Sequence, residues 1–132
     1  MVEKITEIIE ELEESNKPFW VVALLKMDEL VDRWSLVMSA PWVNDTNRSD
    51  AFGEILELLK SKLSQEELVS IGQLGLLPKE DHLIDELLKF DSGSTVNGKL
   101  NGNMIHEGTV IKSDRNLEWQ EAGLFTGAAN SN

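Results

Sequence analysis

The stretch "FWVVALLKM", residues 19–27, decides the fold. It is rich in β-branched and aromatic residues and too short for a typical helix. It therefore reads as a strand with both faces largely buried. Such a strand needs neighbours along its edges and cover on both faces. The chain supplies one neighbour at once. "DELVDR" is a polar connection, and "WSLVMSA" then alternates. Trp34, Leu36, Met38 and Ala40 share one face; Ser35, Val37 and Ser39 share the other. Pro41 has no amide donor, so it ends the pairing or sits at an edge. The two strands form a hairpin.

Working outward, Val2, Ile5, Ile8, Ile9 and Leu12 recur at helical spacing and predict an amphipathic helix over 2–14. Its other face carries Glu3, Glu7, Glu10, Glu11, Glu13 and Glu14 against one Lys4. Glu7/Glu11 and Glu10/Glu14 repel one turn apart, so tertiary packing must hold this helix. After Trp42, "NDTNRSD" clusters turn and capping residues, with Ser49 as the expected N-cap of a helix over 50–63. Ser64 and Glu67 match a capping box and start a short helical turn. A strand is expected around 69–75, interrupted by Gly72 and Gly75. Pro78 suits the first turn of a helix over 78–89. Residues 94–113 read as a second hairpin, turning at Asn101-Gly102, with Asn97-Gly98 as a bulge or an alternative turn.

The order implies an α+β fold: two layers, a mostly antiparallel sheet of two hairpins plus one further strand, packed against about three helices. Residues 1–113 form the expected domain. Residues 114–132 are expected to be an extension, partly mobile at its small polar tip. The apolar first strand still needs cover on its second face. Leu117, Trp119, Leu124 and Phe125 of the extension are one candidate, and a second copy of the chain is the other, slightly favoured one.

Composition narrows the function. The chain has 132 residues, enough for one domain with a sizeable core. It has no cysteine, which excludes disulfides, thiolate catalysis and thiolate metal sites. The acidic, periodic start is unlike a signal peptide, and no apolar run approaches the ~20 residues of a membrane span. A cytoplasmic protein is expected, without membrane association. Net charge is −12, from 24 acidic and 12 basic residues, which repels nucleic acid.

The pattern W-x-L-V-x-S-A-P-W at Trp34–Trp42, followed by "LSQEEL" at 63–68, resembles a group of small prokaryotic proteins to which no activity is assigned. The resemblance implies a compact α+β domain and no catalytic or binding residue.

No motif carries a specific chemistry. Trp34 and Trp42 lie eight residues apart, so a continuing strand would place both rings on one face. Rings of this size more often close a core, though they also offer stacking surfaces. His82 shares a helical face with Glu86, but His106 is the only other histidine and a metal site lacks its ligand count. Gly72-x-x-Gly75 precedes a helix start, yet Glu80 and Asp81 would oppose a phosphate there. Asp28, Glu29 and Asp32 lack the spacing of a calcium loop. No catalytic residue, metal ligand or cofactor is expected. The expected function is that of a non-enzymatic acidic interaction protein, using an acidic helical face or an edge strand, with self-association or a protein partner. The alternative is a small-ligand-binding or weakly enzymatic domain. Its pocket would lie near Trp34, Trp42, Asn103 and His106.

Overall fold

The computed structural model describes residues 1–27 and 32–119. In chain order the elements are α1 (Val2–Glu14), β1 (Val21–Met27), β2 (Trp34–Ser39), α2 (Arg48–Lys62), α3 (Gln65–Ser70), β3 (Ile71–Leu76), α4 (His82–Leu87), β4 (Thr95–Leu100) and β5 (Asn103–Ser113). The strands form one sheet in the order β3-β2-β1-β5-β4. Every neighbouring pair is antiparallel except β2 and β3, which run parallel. This is the expected α+β architecture, with its two hairpins and one further strand. Among the described residues, no helix is long and apolar enough to cross a membrane.

β1 occupies the centre, and Val21 to Leu25 are all buried. Its alternation feeds two cores. Val22 and Leu24 join Leu36 and Met38 of β2, and Ala40 just beyond it, under α1 and α2. Val21, Ala23 and Leu25 join Val37 on the other face, under α4. The face assignment read from "WSLVMSA" therefore holds residue by residue. The Asn101-Gly102 turn holds too: φ is 49° at Asn101 and 79° at Gly102, the double positive φ of a type I′ turn. Gly98, at φ 94°, is the bulge, where the β4–β5 register shifts.

Four boundaries differ from the sequence reading. β1 begins at Val21, after Phe19 and Trp20. α2 begins at Arg48 behind Asn47, so Ser49 lies inside its first turn. The cause is a ring of Asn contacts. The Asn44 side chain accepts from the amides of Thr46 and Asn47, while the Asn47 side chain accepts from Asn44 and donates to the Trp42 carbonyl. β3 begins at Ile71, because α3 holds residues 65–70. α4 spans only His82–Leu87, because Pro78 to Asp81 make a turn and Asp81 caps the helix by accepting the Leu83 amide at 2.9 Å.

The larger correction concerns the second face of β1. α4 covers it, with Ile84 and Leu87 fully buried, so neither a second copy nor the C-terminal segment is needed there. The Leu77 amide still bonds the Met38 carbonyl in the plane of the sheet, and the Pro78 turn then carries the chain onto the far face. Leu124 and Phe125, and the carboxylates Asp28 and Glu29, lie outside the described residues. Residues 114–119 continue from β5: the Asp114 amide donates to the Trp20 carbonyl, and Trp119 packs against the first core.

The capping box at α3 is complete and holds α3 to α1. Ser64 Oγ accepts the Glu67 amide and the Glu67 carboxylate accepts the Ser64 amide. The same carboxylate takes the Lys4 ammonium at 2.8 Å. The Lys4 hydrogen bond and then the Ser64 amide lower the Glu67 pKa from 4.5 to about 2. A carboxyl depressed on folding stabilises the fold above its unfolded value. That contribution is lost as pH falls from 4.5 toward about 2. Denaturant midpoints measured across this window should drop less steeply for Glu67→Gln than for the wild type. Parallel curves would show that the pair adds nothing to stability.

Candidate functional site

The strand ends separate the residues that the sequence reading groups together. Val21 pairs with Ser39 and Ser113, so Trp42 and the start of α2 lie at that end of the sheet. Met27 pairs with Ile105, so Trp34, Asn103 and His106 lie at the opposite end. Trp42 and His106 are therefore not brought together. Trp34 is half-buried against the first core, with Lys26 of the neighbouring strand 4.9 Å from its ring centroid. His106 is exposed on β5, and Asn103 borders the hairpin turn. Among the described residues, no group of three or more His, Asp or Glu side chains is placed to hold a metal.

Trp42 is both a core residue and a wall. It is 6% exposed and meets Phe19 edge to face at 5.8 Å and 81°. The remaining surface borders a cleft of 350 Å³ with Lys17, Asp50, Glu54 and Trp119. Local structure explains how these residues meet. α1 ends in a Schellman motif: the Lys17 amide bonds the Leu12 carbonyl and the Asn16 amide bonds the Glu13 carbonyl, with Asn16 at φ 62°. The Asn16 carbonyl then receives the Trp119 indole N–H at 2.8 Å. Lys17 reaches both Glu54 carboxylate oxygens, at 2.8 and 2.9 Å, with its ammonium 5.4 Å from the Trp42 centroid. Sequence reading missed Trp119 as the partner of Trp42. The two are far apart along the chain, and no local pattern links them.

A second cleft, of 340 Å³, lies at the same end of the sheet between Trp20, Arg48 and Lys79. Its cations are already engaged. Lys79 lies over the Trp20 ring at 4.9 Å, and Arg48 donates to the Leu76 carbonyl and faces Asp45.

The sheet edges differ sharply in chemistry. β4, at one edge, carries Lys99 and the Gly98 bulge, both of which discourage a further strand. β3, at the other, is "IGQLGL": it has no charge, no proline and an exposed Gln73. Beside it runs a 200 Å³ groove lined by apolar side chains, among them Phe52 and Leu56 of α2, Leu68 of α3, and Ile71 and Leu74 of β3 itself. Val69, just before the strand, is 55% exposed.

No family model, curated protein or solved structure matches this chain. The functional reading therefore rests on these surfaces alone.

Proposed function

We propose that the protein is a non-enzymatic, acidic, cytoplasmic interaction protein that works through the outer edge of β3, and that the strand it takes up is β3 of a second copy. The observation that carries the reading is the contrast between the two edges. One carries a lysine and a bulge in its middle, while the other is uncharged, regular from Gln73 to Leu76 after an irregularity at Gly72, and flanked by an apolar groove. An unpaired strand of that kind is a template for strand addition.

Charge favours a second copy as the occupant. In α2, Arg48, Lys60 and Lys62 balance Asp50, Glu54 and Glu57, and β3 carries no charge. Of the α1 carboxylates, Glu13 pairs with Lys112 of β5 at 3.1 Å, and Glu7 and Glu11 face Lys62 of α2 at 3.9 Å. The strand and α2 together thus add no net charge to this edge, and of the two carboxylates of α3 beside it Glu67 is paired with Lys4. Symmetry supports the same occupant. A two-fold axis normal to the sheet pairs β3 with its copy antiparallel and leaves both α2 helices on one face. Phe52 and Leu56 of each copy then cover the other's groove. The surplus of carboxylates disfavours nucleic acid as a partner.

Light scattering across a concentration series should show the mass rising from monomer to dimer, with the dimer persisting or tightening as salt screens the residual repulsion. Gly75→Lys is a suitable probe because nothing lies within 4 Å of where its Cβ would sit, and an unchanged far-ultraviolet circular dichroism spectrum checks that the monomer still folds. Gly75→Lys and Leu56→Lys should each weaken dimerisation at least ~10-fold, which requires only about 1.4 kcal/mol. A constant monomer mass for the wild type at every concentration would refute the dimer.

A second reading, small-ligand binding, is favoured by one observation, the paired tryptophans of the 350 Å³ cleft.

A further inference from the structure

We infer that the cleft between Trp42 and Trp119 binds an alkylammonium group that retains at least one N–H, of the kind a lysine side chain carries. The inference is independent of the β3 edge. It rests on what lines the cleft and on what already occupies part of it.

Two indole rings and two carboxylates, Asp50 and Glu54, face one space of 350 Å³. Aromatic faces attract cations through their ring quadrupoles, and carboxylates add charge-assisted hydrogen bonds. The chain demonstrates this chemistry on itself. The Lys17 ammonium is held by both oxygens of Glu54 at 2.8 and 2.9 Å and lies 5.4 Å from the Trp42 centroid. Lys17 satisfies Glu54 only. Asp50 has no ion-pair partner among the described residues, and the Trp119 ring is pinned by its bond to the Asn16 carbonyl with no lysine over it. One carboxylate and one ring thus remain for a second ammonium.

The mixture of groups selects the kind of cation. A quaternary ammonium has no N–H to give a carboxylate and is best enclosed by several rings. One ring beside one unpaired carboxylate suits an ammonium that donates a hydrogen bond. An acidic protein also raises the local concentration of cationic ligands by long-range attraction.

The test is a titration of the ¹⁵N-labelled full chain at constant ionic strength, read on the four tryptophan indole N–H signals. The probes are N-acetyl-lysine methylamide, butylammonium, choline and the neutral N-acetyl-norleucine methylamide. Saturable shifts of two indole signals are expected with the first two probes. Tighter binding of the lysine compound assigns the site to a peptide side chain, and equal binding assigns it to a free amine. Choline should bind more weakly, and the norleucine compound should leave the signals unmoved. Trp119→Ala should weaken binding roughly tenfold, the size of one partly desolvated cation–π contact. Lys17→Gln removes the internal competitor and should tighten it. The inference is overturned by shifts of equal size from the norleucine compound, by unchanged affinity in Trp119→Ala, by lost binding in Lys17→Gln, or by no shift from either amine.

Discussion

Phe19→Ala is expected to lower the stability of the protein by about 3–5 kcal/mol, the range for a fully buried ring cut to a methyl group. Phe19 is 1% exposed, among the largest fully buried side chains. It lies between the end of α1 and the start of β1 and supports Trp42 edge to face. Its loss would leave a cavity at the point where the α1 connection, the sheet and α2 converge, and would release the ring that walls the ammonium cleft. The useful comparison is Trp34→Ala. Trp34 is half-buried under Lys26, so it should cost less than Phe19→Ala despite removing a larger side chain. Urea denaturation of the two variants side by side checks the order. A larger loss for Trp34 would mean that its ring carries more of the core than its exposure implies.

Leu87→Ala is the second large effect expected, about 2–5 kcal/mol. Leu87 is 0% exposed and belongs to the core that α4 closes over Val21, Ala23 and Leu25. α4 has six residues, too few to be stable alone, so its anchoring side chains hold it in place. Loosening them uncovers the far face of the central strand. The variant should therefore bind a hydrophobic dye and aggregate on heating, as well as melting earlier. A melt within error of the wild type would mean that the far face of β1 is covered by something other than α4.

Much of this was legible in the residues, and the limits follow from what local pattern encodes. Period-two alternation placed every β2 side chain on its correct face, because the pleat is a property of the strand itself. Asn101-Gly102 set a turn and Ser64/Glu67 set a cap, because each is satisfied within four residues. What local pattern does not encode is which strand neighbours which. β3 pairs parallel to β2 across α2 and α3, and nothing in "IGQLGL" specifies that partner or its place at the edge. The same gap misplaced the candidate site. Strand periodicity gives the face a residue occupies and says nothing of the end of the sheet it reaches, so Trp42 and His106 were grouped although the sheet holds them apart. The sequence reading makes α4 too long because Pro78 fits a helix start as well as it fits the turn that precedes one.

The position of β1 also constrains the order in which the protein can be completed during synthesis. Its first neighbour, β2, follows within a few residues, but its second, β5, is the last strand among the described residues. Until residues 103–113 leave the ribosome, the most apolar strand in the molecule has one bare edge, and the β4–β5 hairpin that seals it cannot form. Long-range pairing of this kind is slow, and exposed strand edges are prone to capture by other chains. The nascent protein is thus most vulnerable in the interval before β5 emerges, and a chain cut short before β5 would retain a sticky central strand with a bare edge.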